Sequence, residues 1–278
     1  MIAAGHPDLI FELDTFTASL PPHWRQPPQG EWFGARAWSI GQAVALREVM
    51  QRLARRTQQL SVPGWPEFAE FDCFACHHPV RNVESSSYTR AADKRLKPGS
   101  EWPASWRQVR GYMGTAGLPP WNASRYLVFR QLLGLIAPET QKDLDQKLAA
   151  LGKTMARVGA TDPRQVAADA TQVAQMADRL IPQVSSVPWN ESMVATLLQN
   201  ISSNGETLSG AGVRVAEQAA MALQTLVLTY KEKVRLPDAP AVDKAVKELY
   251  QALEKPEDYE PQQFTSKMQT INGLLFKK

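Results

Sequence analysis

Sulfur and imidazole are scarce in this chain. It has two cysteines and four histidines in 278 residues, and all six lie in the first 78 positions. Cys73 and Cys76 are the only thiols, so no third thiol competes for either. A structural zinc site needs four ligands, usually from a second Cys or His pair. The histidines left over, His6, His23 and His78, are not spaced as such a pair. The net charge of +3 is small, and nothing global points to nucleic acid. No apolar run approaches the roughly 18 to 20 residues that cross a bilayer, so no membrane span is expected. Met1-Ile2-Ala3-Ala4-Gly5-His6-Pro7-Asp8 has neither a basic n-region nor a long apolar h-region. No alternating β-branched run flanks Cys73, as the βαβ setting of a thioredoxin-like dithiol would require. No paired acid and base suggests substrate activation, so the chain is not read as an enzyme by itself.

What the chain does have is the stretch Phe71-Asp72-Cys73-Phe74-Ala75-Cys76-His77-His78-Pro79. Cys-x-x-Cys-His is the attachment signature of a c-type haem. Two thiols three residues apart can each bond one vinyl group on the same edge of a porphyrin, and the adjacent histidine then lies under the iron. Cys73 and Cys76 are assigned as thioether attachments and His77 as the proximal axial ligand of one haem c.

The second axial ligand decides the chemistry. A second histidine gives a low-potential electron carrier, a methionine raises the potential, and an empty position allows ligand binding. His6 is the first choice, because Gly5 and Pro7 are small and rigid neighbours that let a flat group approach. His23, in the corner Pro22-His23-Trp24, and Met113, in a glycine-rich loop, are the alternatives. His78 adjoins the proximal ligand and cannot easily reach the opposite face. It is assigned as a hydrogen-bond partner or a ligand to a neighbouring haem.

The pattern along the chain is all-α: a haem c-binding helical domain over 1–137 followed by an antiparallel helical bundle over 138–278. A short helix is expected over 7–19, with Leu9, Ile10, Leu13 and Phe16 at helical spacing. The longest helix is expected from Glu31 to about Gln59. Its inward stripe runs through Phe33, Ala37, Ile40 and Val44, then Leu46, Met50 and Leu53. A short helix after Trp65-Pro66 carries the haem motif and ends at Pro79. Residues 81–110 are basic, with Trp102, Trp106 and Tyr112 nearby. That mix could serve nucleic acid, but beside a haem it better supplies aromatic packing and an arginine for a propionate. Gly111, Gly114, Gly117 and Pro119-Pro120 form a turn-rich segment. Helical spacing resumes from Trp121 through Leu127, Phe129, Leu132, Leu133 and Ile136. Beyond Pro138 five helical stripes follow: Leu144 to Val158, Val166 to Leu180 after Asp162-Pro163, a helix from Pro188 through Ile201, Ala216 to Tyr230, and Val242 to Leu253. A turn is expected at Ser203-Asn204-Gly205, and a last helix from about Pro261 to Leu275.

With these residues placed, the first part of the chain resembles a family. Gly5-His6-Pro7 with Phe11-Glu12-Leu13, Pro22-His23-Trp24, the Cys73–His78 segment, Ser105-Trp106-Arg107-Gln108 and Arg110-Gly111-Tyr112 are similar to the C-terminal part of large multihaem c-type cytochromes of environmental bacteria. The likeness covers roughly residues 5–121. It implies that a multihaem domain precedes the matching stretch. It also implies that His6 is a distal ligand, either to the last attached haem or to a haem of that preceding domain. The expectation is an exported, periplasmic electron-transfer protein whose leader or upstream domain lies ahead of Met1. Its partners would be a redox protein or other haem domains of the same parent, and such a parent could be an oxidoreductase. Two alternatives stand beside it: a haem-based sensor or peroxidase-like centre with an open axial site, and a zinc-stabilised helical interaction protein.

Overall fold

The structure is a computed structural model that describes residues 12–20, 30–58, 122, 124–155, 162–255 and 259–276. Every regular element among the described residues is an α-helix. In chain order they are α1 (Leu13–Ser19), α2 (Phe33–Gln58), α3 (Ser124–Leu127), α4 (Phe129–Ile136), α5 (Pro138–Met155), α6 (Pro163–Ser185), α7 (Glu191–Ser203), α8 (Gly205–Gly210), α9 (Val213–Lys231), α10 (Ala239–Gln251) and α11 (Pro261–Phe276). No helix among them is long and apolar enough to cross a membrane.

The helix starts follow local chemistry. Asp162 caps α6 by accepting the backbone N–H of Arg164, with Pro163 in the first turn. Asn190 caps α7 through Met193 N–H at 2.9 Å, and Asp238 caps α10 through Ala241 N–H at 3.0 Å. The α7 cap moves that helix start to Glu191, three residues beyond the expected Pro188. Gly212, just before α9, has φ 110°, a conformation that a Cβ would strain.

One hydrophobic core runs through the described residues, from Trp32 to Ile271. Its centre is α9, which touches α1, α2, α3, α7, α8 and α10. That setting explains its sequence. Thirteen of its nineteen residues are buried, many of them alanine, which lets several neighbours approach at once. The core crosses position 138. Helix α2 makes its most extensive contact with α6 and also packs on α9. Tyr126 of α3 is fully buried and donates its hydroxyl to Asp145 of α5 at 2.7 Å. Arg130 of α4 grips the same carboxylate with bonds of 2.8 to 3.0 Å. Such a charge-assisted fork fixes orientation as well as distance.

Two expectations need correction. Helix α1 cannot run unbroken from residue 7, because Glu12 is extended, with φ −137° and ψ 130°. Leu13 is 49% exposed rather than inward, because Glu12 holds the buried place beside it. On α2 the stripe Phe33, Ala37, Ile40 and Val44 is only half-buried. The buried face is instead Gly34, Ala35, Trp38, Ser39, Gln42, Ala43, Leu46, Met50, Leu53, Ala54 and Thr57. Small side chains there allow α2 to lie close along its neighbours. The turn expected at 203–205 is present at Asn204, and it leads directly into the short helix α8, which packs on α11.

Candidate functional site

The haem-motif residues Cys73, Cys76 and His77, with His78, His6, His23 and Met113, all lie outside the described residues. The described helices frame that segment. Helix α2 ends at Gln58 with Leu53, Ala54 and Thr57 still buried, and α3 opens at Ser124 with Tyr126 and Leu127 buried. The two helices touch each other. The helices that precede and follow the undescribed residues in sequence therefore belong to one packed core. The described residues contain no cysteine or histidine, and no group of three or more His, Cys, Asp or Glu among them could hold a metal ion. Thiolate and imidazole ligands can come only from the segments outside them.

Within the described residues the most unusual chemistry lies where α1 meets α9 and α10. Glu12 is an acidic residue only 8% exposed. Its Oε2 accepts the Thr225 hydroxyl at 2.6 Å and the backbone N–H of Thr15 at 2.8 Å. The first bond spans 213 positions of sequence and joins α1 to the middle of α9. The second caps α1. Charge-assisted bonds of this kind are about twice as strong as neutral ones, and a buried carboxylate is tolerated only when so bonded.

Beside Glu12 lie the Thr15 and Tyr250 hydroxyls and Gln224 Oε1, all shielded from solvent. Burial pushes the Tyr250 hydroxyl well above its ordinary value near 10. Thr15 stands near enough to pull it partly back, and the Glu12 charge raises it again. In front of them is an open, mostly apolar groove of about 480 Å³ lined by Phe16, Met221, Val227, Leu228 and Val246, with Lys247 at its edge. Tyr259 donates to the Ser209 carbonyl at 2.9 Å. Burial, the dominant influence, raises its pKa well above 10.

These two phenols set an alkaline limit. A tyrosine is neutral when protonated, and burial favours the neutral form in the folded state. With folded pKa values above the unfolded value near 10, the folded protein holds more protons than the unfolded one above that pH. Stability is then fully present below about pH 10 and falls as pH rises further. Denaturation midpoints measured from pH 8 to 12 should be level and then decline. Tyr250→Phe should make that decline shallower with little loss at neutral pH, since the only group acting on its hydroxyl as a hydrogen-bond partner is the adjacent Thr15 side chain. A decline of unchanged steepness in Tyr250→Phe would refute the assignment.

Sequence reasoning did not single out Glu12, Thr225 or Tyr250 as functional residues. The one available signal was Glu12 within Phe11-Glu12-Leu13, three positions before Thr15, whose N–H it caps. Comparison of the chain with protein-family models, curated proteins and solved structures returned no match.

Proposed function

We propose that the protein transfers electrons through one covalently attached c-type haem, as part of a larger, exported multihaem cytochrome. The observation that carries this reading is Cys73-Phe74-Ala75-Cys76-His77, which contains the only two thiols in the chain. The donor set fits the group: two thiols at the attachment spacing and an imidazole next to the second. Cys73 and Cys76 would hold the macrocycle by thioethers and His77 would ligate the iron from one face. A bound haem would supply a one-electron couple. His6 is the preferred ligand on the other face, with His23 and Met113 as alternatives, and His78 serves as a hydrogen-bond partner or a ligand to a neighbouring haem. The partner is another haem domain or a redox protein, since electron transfer needs a second centre within reach.

The test is a visible spectrum of protein matured with the haem c attachment machinery, oxidised, reduced, and then exposed to carbon monoxide. The expected result is a low-spin c-type spectrum that carbon monoxide leaves unchanged. A spectrum shifted by carbon monoxide would replace electron transfer with ligand binding at an open iron. A colourless protein would remove haem altogether and leave zinc as the metal for Cys73, Cys76 and His77.

A further inference from the structure

We propose that the groove walled by α1, α9 and α10 binds a single-chain fatty acid, with the acyl chain along the groove and the carboxylate at Lys247. The inference goes beyond the haem reading and uses none of its residues. The groove is mostly apolar and holds about 480 Å³, within the size range of small-molecule sites. Its lining runs from Met221 to Leu228 on α9 and from Asp243 to Tyr250 on α10. Each span is two turns of helix, a length of about 10 Å. The two helices touch each other, so the groove follows the crevice between them, and Thr15 and Phe16 of α1 close one side. A trough of that length, open along its face, suits a flexible chain better than a compact ring. Met221 and Leu228 are partly exposed, so an acyl chain laid there would take apolar surface out of water on both partners.

Charge selects the head group. On α10 the Asp243 carboxylate is engaged by Lys231 at 2.6 Å, and that of Glu248 lies 3.6 Å from Lys267. Lys247 is exposed at the rim of the groove and has no carboxylate partner among the described residues. An unbalanced ammonium beside an apolar trough is complementary to an amphiphile with an anionic head, and its three donors match a carboxylate. The opposite sign prevails deeper in. The buried Glu12 carboxylate acts on the Tyr250 hydroxyl, so the Tyr250 end of the groove repels an anion. The hydroxyls of Thr15 and Tyr250 and the Gln224 Oε1 are also shielded from solvent, which leaves the inner wall to the chain and the rim to the head.

The experiment titrates the full chain with hexanoate, octanoate, decanoate and decanol by calorimetry, below the concentrations at which they aggregate. It compares wild type with Lys247→Gln, Leu228→Glu and Met221→Glu, and far-ultraviolet circular dichroism with the denaturation midpoint checks that each variant is folded. The expected result is saturable binding of one decanoate per chain, with each added methylene tightening the acid by up to about fourfold. Lys247→Gln should weaken decanoate about two- to fivefold, as loss of an exposed ion pair does, and leave decanol unchanged. Leu228→Glu and Met221→Glu each put a charge in the trough and should weaken both ligands at least tenfold. Two trough positions keep the test decisive if one variant fails to fold. Absence of saturable binding to wild type would remove the site. Wild-type affinity in a folded Leu228→Glu or Met221→Glu would place the ligand elsewhere and overturn the proposal. Decanoate affinity unchanged in Lys247→Gln would overturn the anionic head, and with it the assignment to a fatty acid.

Discussion

The double variant Cys73→Ser/Cys76→Ser is expected to retain no covalent haem. A thioether needs a sulfur at each vinyl group, and the chain has no other thiol to substitute. The readout is haem-dependent peroxidase staining after denaturing electrophoresis, together with intact mass. Wild type should keep its colour through denaturation and the double variant should lose it entirely. Each single variant should keep a reduced amount of haem attached through one thioether. Its pyridine adduct should absorb at a longer wavelength, because one vinyl group stays conjugated with the ring. His77→Ala should separate attachment from ligation, with haem still bound but its low-spin spectrum lost. The described helices should persist in all these variants, because their core contains no cysteine or histidine. A double variant that still carried covalent haem would end the thioether assignment.

Local pattern was enough wherever a helix buries large aliphatic side chains on one face. Leu144, Leu148, Leu151 and Met155 are fully buried on α5, as their spacing predicts, and Val166, Ala170, Val173, Ala177 and Leu180 are fully buried on α6. On α2 the same rule held for Leu46, Met50 and Leu53 but failed for the stripe before them. There the buried positions include Gly34, Ser39 and Gln42, and the apolar Phe33, Ile40 and Val44 sit at the edge. A period count weighs hydrophobicity, whereas close helix approach selects for small size. Glu12 escaped for a different reason. A lone glutamate reads as solvated, and the hydroxyl that bonds it, Thr225, lies 213 positions away. Short elements such as α8 give too few turns for any periodic signal. For the proposed haem site the position was reversed. The proposed chemistry rests on five residues, because covalent attachment would fix their spacing. Their geometry is not readable from that spacing, and Cys73, Cys76 and His77 lie outside the described residues.

Leu46→Ala is expected to be strongly destabilising, and its reach bears on how the chain divides. Leu46 is fully buried near the middle of that helix. Removing a buried leucine side chain costs about 2 to 5 kcal/mol, from lost transfer free energy and the cavity left behind. Set against a whole-domain stability of about 5 to 15 kcal/mol, that loss is large enough to read easily. Where it is felt depends on cooperativity. Helix α2 shares a core with α6 and α9, on the far side of the 137/138 boundary expected from composition. If that core unfolds as one unit, the denaturation midpoint seen at Trp189, buried just before α7, should fall together with hydrogen-exchange protection in α2, α6 and α9. Asp178→Asn provides the control. It removes the exposed α6 partner of Arg47, 2.9 Å away, and should leave the transition close to wild type because solvent screens the pair. A Leu46→Ala protein that loses protection in α2 alone, with the Trp189 transition unmoved, would mean that the helices before and after residue 137 fold as separate units despite their contact. Loss of protection in all three helices together would make α2 a structural part of the C-terminal assembly. The segment bearing Cys73 and Cys76 would then lie, in sequence, between two helices of one core.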